Sequence, residues 1–220
     1  LRLKAKTAGS EYGEALRVAE LLKRMSVEVA ADSKPAVVWM YRPDDDRTNA
    51  NCNANIFNNE GVGIAMKKFR TYRVNWHDMP TESLQEEYKN TPAFFFFDPA
   101  GNLVTKTQGK KVDSLSSFTK ALKTTWGKSF TSALRSYQKS MTKILDRLDR
   151  VEGRKQVLDQ SKARLAAKPN PRKQRALDQE EADLDKQMAA IVKDEQKLIA
   201  SIEVKADHLE TEKEEVAKSR

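Results

Sequence analysis

At 220 residues the chain is long enough for one full domain and a smaller appendage, since single domains usually hold about 100–150 residues. It carries 40 Lys and Arg against 32 Asp and Glu, and this net charge of +8 suits a polyanion partner only where the positive charge is clustered. A single cysteine, Cys52, excludes an internal disulfide, and no apolar run approaches the roughly 20 residues that cross a bilayer.

The composition changes near residue 127. Residues 1–127 hold all three Trp and seven of the eight Phe, whereas residues 128–220 have no Trp and, apart from Gly153, no glycine. We therefore expect two domains, a core-forming domain at 1–127 and a helical one at 128–220. The chain begins with Leu1 rather than Met, as expected of a trimmed chain or of a mature protein after removal of a signal peptide.

Apolar residues recur at helical spacing over residues 11–29, which predicts an amphipathic first helix. A buried strand is predicted next, at 36–41, followed by a short or interrupted Asn-rich helix whose second piece is capped by Asn58 or Asn59. A strand at 71–76 and a short helix at 82–89 come after it. Two strands joined by a type I turn are predicted within 91–104, and a closing helix at 114–126. Strands that alternate with helices before a final hairpin indicate an α/β fold, a mixed sheet covered by helices on both faces.

With this order of elements, residues 10–126 resemble the thioredoxin-like superfamily, in particular bacterial domains that place a helix before the strand leading to the active site. Thr91-Pro92 stands where that family has a cis-proline facing its redox site, and residues 98–102 resemble its hairpin turn. The resemblance implies a thioredoxin-like mixed sheet flanked by helices. Because such domains are frequent among exported bacterial proteins, it also implies an extracytoplasmic, periplasmic location.

The chain departs from the family where the redox chemistry should be. The two cysteines of the family's Cys-x-x-Cys motif would fall near Asp46 and Asn49, and Cys52 lies about one turn beyond the catalytic position. Dithiol exchange needs a second thiol to resolve the mixed disulfide, so one cysteine cannot complete the cycle alone. Two interpretations remain: Cys52 packs under the sheet as a small apolar residue, or it reacts singly in a site lined by Thr91 and Pro92.

The sequence offers little other chemistry. The carboxylates of residues 44–46 lack calcium-loop spacing and are interpreted as a solvated loop in which Asp46 caps the next helix. His77 and His208 have no neighbouring Cys or His, so no metal site is predicted. No glycine-rich phosphate loop or nucleophile elbow is present, and no cofactor is predicted.

Residues 128–220 read as an antiparallel coiled-coil hairpin that turns near 168–171, where Pro169 and Pro171 interrupt helical geometry. Apolar residues recur in alternating steps of three and four along 134–165 and again along 177–209. If the arms fold back on each other, Val151 lies opposite Met188, and Leu148 opposite Ile191. Both seams then match over their whole length.

Charge is divided between the arms, since residues 128–175 carry 14 basic and 4 acidic groups while residues 176–220 carry 7 basic and 13 acidic groups. Pairing between the arms would offset most of this charge. The cations predicted to stay unpaired lie at the hairpin tip: Arg164, Lys168, Arg172, Lys173 and Arg175. A solvated turn is the simpler interpretation of this tip, and contact with nucleic acid or another polyanion is the alternative.

Two functions are compatible with these patterns. The favoured one is a non-enzymatic interaction or scaffolding protein, whose coiled coil binds a protein partner or a second copy of the chain. The alternative is a single-cysteine thiol oxidoreductase or redox sensor acting through Cys52, with glutathione or another protein supplying the resolving thiol.

Overall fold

The computed structural model describes residues 34–78, 82–167 and 169–205. These residues fall into two compact units: the described residues from 34 to 134 together with 203–205 form one, and the described residues from 135 to 202 form the other. The helix predicted at 11–29 lies outside the described residues, as do Lys168 and His208.

The first unit is built on a four-stranded mixed sheet. Its strands are β1 (Ala36–Tyr41), β2 (Arg70–Asn75), β3 (Ala93–Phe97) and β4 (Leu103–Gln108). They lie in the order β2-β1-β3-β4; β1 pairs parallel with β2, and β3 pairs antiparallel with both β1 and β4. This order and these directions are those of a thioredoxin-like sheet, as the sequence predicts.

Four α-helices and one π-helical turn lie in the described part of the same unit. Helix α1 (Asp46–Cys52) continues into a π-helical turn, Asn53–Phe57, and is followed by α2 (Glu60–Met66), α3 (Glu82–Glu87) and α4 (Leu115–Ser129). The interrupted Asn-rich helix is thus present, and Asn59 caps its second piece by accepting from the backbone N–H of Val62 at 3.0 Å. The strand predicted at 71–76 ends one residue earlier, because Trp76 enters a 3₁₀ turn and its indole donates to Gln85 O at 3.2 Å.

The two central strands, β1 and β3, are buried on both faces, which explains their continuous apolar runs. One face carries a core cluster whose buried members are Ala36, Val38, Met40, Ala93, Phe95 and Phe97. On the other face Phe118 of α4 contacts Phe94 and Phe96, with ring centroids 4.9 and 5.2 Å apart. The four consecutive phenylalanines are therefore core residues of a central strand.

The second unit is an antiparallel helical hairpin, formed by most of α5 (Leu134–Ala167) and by α6 (Pro171–Ala200). Its apolar seam contains five buried residues, Ile144, Val151, Leu158, Leu184 and Ile191. Cross-helix ion pairs join Arg147 to Asp194 at 2.6 Å and Lys155 to Asp185 at 2.6 Å. In both pairs the basic group lies on α5 and the acidic group on α6, as predicted from the basic first arm and the acidic second arm.

The second arm is shorter than the heptad pattern predicts. Helix α6 ends at Ala200, so Lys205 is not a seam residue, and Leu209 lies outside the described residues. Residues 203–205 belong to the first unit and pair there with residues 129–131: Thr131 N donates to Glu203 O at 3.1 Å and Lys205 N to Ser129 O at 3.0 Å. These tertiary hydrogen bonds override the helical periodicity at this end.

Candidate functional site

The site expected from the resemblance lies at the end of β1 and the start of α1. Asp45 caps α1, because its carboxylate accepts the backbone N–H of Thr48 at 3.1 Å. The prediction that Asp46 is the cap was wrong, since Asp46 is already the first helical residue. Asn49, at the position expected for the family's second cysteine, donates its side-chain amide to Arg42 O at 2.8 Å. Side-chain hydrogen bonds therefore order this turn.

A polar network spans the carboxyl ends of the parallel strands β1 and β2. Asp44 accepts from His77 Nε2 at 3.1 Å, and the Arg42 guanidinium approaches the same carboxylate at 3.5 Å. The hydrogen bond from His77, more than the charge of Arg42, lowers the pKa of the Asp44 carboxyl below its ordinary value. Arg42 also lies over the Trp76 ring, 4.4 Å from its centroid. The network is exposed, and its groups are charged and aromatic.

Sequence reasoning missed this network. Asp44 and His77 are 33 residues apart in the chain, so no local motif or periodicity indicates that their side chains meet. The one available signal was positional: each residue follows a predicted strand, and the carboxyl ends of parallel strands meet at one edge of a sheet. Among the described residues, no group of three or more His, Cys, Asp or Glu side chains is arranged to hold a metal ion.

Cys52 is the last residue of α1 and is 0% exposed. Its Sγ lies 4.0 Å from Val112 O. Burial, followed by the nearby negative charges of Asp113 and Asp45, raises the pKa of the thiol from its ordinary value of 9.0 to about 12. The thiol is therefore protonated at neutral pH, the opposite of the lowered pKa that activates a redox cysteine.

Thr91 and Pro92 are buried and joined by a cis peptide bond. The Thr91 hydroxyl donates to Tyr88 O at 2.6 Å and lies 3.4 Å from Met40 Sδ. Cys52 and Thr91 thus bond to different parts of the unit, and the hydrogen bonds of the structure do not bring them together.

Next to the polar network lies an aromatic cluster around Trp39. Its ring centroid is 4.7 Å from that of Phe57, which the π-helical turn presents at 41% exposure, and 5.3 Å from that of Tyr41. The Arg73 guanidinium covers both Tyr41 and Trp39, 3.8 and 5.0 Å from their centroids. Within the described residues the buried Trp39 Nε1 has no hydrogen-bond partner. Apolar periodicity predicts these residues as core and does not predict the cation above them.

The hairpin tip presents exposed cations. Arg164, Arg172, Lys173 and Arg175 are exposed, and within the described part of the chain none of them forms an ion pair. Two acidic residues that follow the tip in α6 have other partners: Asp178 accepts from Gln174 at 2.8 Å, and Lys162 pairs with both Asp178 and Glu181. The ion pairs between α5 and α6 therefore do not neutralise the four described cations at the tip.

No described helix is both long enough and apolar enough to span a membrane. No protein-family model matches the chain, and neither does any curated protein. Among solved structures the chain is similar to a thioredoxin from Thermus thermophilus, with 21% sequence identity, coverage of 45% of this chain and 79% of that one, and a TM-score of 0.34. The strand order and directions of the sheet, rather than this alignment, carry the assignment of a thioredoxin-like fold.

Proposed function

We propose that this protein is a non-enzymatic interaction or scaffolding protein. In this proposal the thioredoxin-like unit is a folded module without a Cys-x-x-Cys pair, and the hairpin is a coiled-coil arm that binds a protein partner or a second copy of the chain. The observation that carries the proposal is the burial of Cys52, the single thiol, with its pKa raised to about 12.

The chemistry of thiols supports the proposal that the thioredoxin-like unit is not catalytic. A raised pKa from 9.0 to about 12 lowers the thiolate fraction at neutral pH by about a thousandfold, and only the thiolate attacks disulfides or peroxides. Where the family has its reactive pair, the chain instead has Asp46 and Asn49, beside the network of Asp44 and His77. These observations weigh against the single-cysteine oxidoreductase or redox sensor.

The spacing of the seam supports the coiled-coil part. Ile144, Val151 and Leu158 follow one another at seven-residue steps on α5 and are all buried. Leu184 and Ile191 repeat the same step on α6, between the partly buried Leu177 and Leu198. A seven-residue repeat of buried apolar side chains is typical of coiled coils, which commonly serve as association surfaces.

The charge at the tip indicates the kind of partner. Its four described cations are exposed, have no carboxylate partner among the described residues, and stand beside the buried Leu165, which belongs to the ordered helix α5. Such cations favour an acidic surface on the partner and raise the association rate more than the affinity. A nucleic acid is the competing polyanion, and its binding would fall steeply with salt.

The proposal is tested with the full chain in two measurements. Sedimentation equilibrium over a hundredfold concentration range detects self-association, and affinity capture from the native host detects partners. The tip variant replaces Arg164, Arg172, Lys173 and Arg175 with Gln. Its matched control replaces four exposed cations from the other end of the hairpin with Gln: Lys139, Lys143, Lys193 and Lys197.

We expect either a concentration-dependent dimer or a captured acidic protein, which the tip variant weakens at least threefold more than the control does. Equal weakening by both variants would show that only net charge matters and would contradict a role for the tip. A chain that stays monomeric at every concentration and captures no protein would contradict the proposal as a whole.

A further inference from the structure

A shallow groove runs along the sheet edge of the first unit, between β4 and α4. It encloses about 320 Å³, which is within the usual size range of small-molecule sites. The groove has no carboxylate in its lining, and apart from Ala121 the residues that line it carry amine, hydroxyl or amide groups: Lys106, Thr107, Gln108, Lys111, Ser117 and Lys120.

The lysines of the groove have no carboxylate partners. Lys106, Lys111 and Lys120 are exposed, and no ion pair is found for them among the residues that the structure describes. Residues 103–125 contain five lysines and one acidic residue, Asp113. That carboxylate accepts from Asn51 at 2.8 Å and is not part of the groove lining. The groove is therefore a concave region of uncompensated positive charge.

Thr107 provides a second, independent observation. It is 8% exposed, and its hydroxyl is buried without a hydrogen-bond partner in the described part of the chain. A buried hydroxyl that lacks a partner costs free energy, and native proteins rarely retain one without a reason. Thr107 lines the groove, but its hydroxyl oxygen is closed to solvent, so a ligand with acceptor oxygens would satisfy this donor only after the Thr107 side chain rotates.

We propose that this groove binds a small polar ligand through a multiply charged phosphate group. Three ammonium groups balance a charge of two or more, and phosphate oxygens accept hydrogen bonds from ammonium and hydroxyl donors alike. The absence of aromatic and large apolar side chains from the lining favours a polar ligand body over an apolar one. This binding activity goes beyond the proposed function and does not depend on the hairpin.

The test is isothermal titration calorimetry of the full chain with sodium pyrophosphate as the probe, with citrate titrated in parallel. The site variant carries Lys111→Gln and Lys120→Gln. Its matched control carries Lys110→Gln and Lys123→Gln, two exposed lysines next to the groove that do not line it. Both variants lose the same charge from the same segment, so that any difference between them reports position.

We expect one pyrophosphate to bind per chain, at least tenfold more weakly to the site variant and within threefold of wild type to the control. The proposal would be overturned if both variants bound pyrophosphate equally weakly, or if the chain bound several pyrophosphate ions or none. It would also be overturned if citrate bound as tightly as pyrophosphate.

Thr107→Val provides a second test, because it removes the hydroxyl while keeping the shape of the side chain. We expect it to weaken pyrophosphate binding and, in the absence of ligand, to raise the melting temperature, since it removes a buried donor without a partner. A variant that binds pyrophosphate as wild type does would overturn the part assigned to the hydroxyl. The sedimentation and capture experiments would be unaffected, so the two proposals fail separately.

Discussion

Replacing Leu184 tests the packing of the hairpin. This side chain is 0% exposed and belongs to the cluster that contains Val151, Leu158 and Ile191. Leu184→Ala removes three carbon atoms, worth about 2 kcal/mol at about 0.8 kcal/mol each. A residual cavity of about 50 Å³ adds about 1 kcal/mol at about 24 cal/mol per Å³. We therefore expect a loss of about 3 kcal/mol in the free energy of unfolding of the hairpin.

The assay is urea unfolding followed by far-UV circular dichroism, with tryptophan fluorescence recorded in parallel. All three Trp lie at or before Trp126, so the fluorescence reports the first unit and the dichroism reports chiefly the long helices. The matched control is Val192→Ala on the same helix, at a side chain that is 44% exposed. It should change the free energy by less than about 1 kcal/mol. A Leu184→Ala variant no less stable than this control would refute a packed seam.

Three further predictions concern the first unit. Because the pKa of the Cys52 thiol is raised from 9.0 to about 12 in the folded state, its stabilisation is complete below about pH 9 and is lost as pH rises toward 12. Between pH 7 and pH 10 wild type should lose about 1.4 kcal/mol more than Cys52→Ala, measured by denaturant titration. Asp45→Ala should cost about 1 kcal/mol by the loss of the helix cap, and Asp45→Asn only a few tenths. His77→Ala should raise the pKa of Asp44 toward its ordinary value, as followed by NMR titration of the carboxyl carbon.

Much of the fold could be predicted because its two central strands are apolar runs with sharp ends. The strand predicted at 36–41 has the observed bounds of β1, since both of its faces are buried. Periodicity did not predict the π-helical turn at 53–57, because its buried and exposed apolar residues also fit an α-helix. It also extended the second arm past Ala200, where backbone hydrogen bonds to residues 129–131 replace the helix. Local patterns miss such long-range bonds.

The candidate site was less predictable than the fold. The missing dithiol pair follows from the sequence, which leaves two interpretations of Cys52 open. The burial of Cys52 agrees with the apolar interpretation, since a small cysteine inside a helix most often packs against the core. The bond between Asp44 and His77 and the unpartnered hydroxyl of Thr107 depend on how distant segments meet in three dimensions. Neither leaves a periodic or motif signal in the chain.

The reactivity of Cys52 tests the central claim most directly. The native full chain is treated with a disulfide reagent at neutral pH, and the rate is compared with that of the chain unfolded in guanidinium. Because the thiol is buried and its pKa is raised to about 12, native labelling should be slower by a thousandfold or more. Labelling of the native protein at the rate of a free cysteine would contradict the account and place Cys52 in a working thiol site.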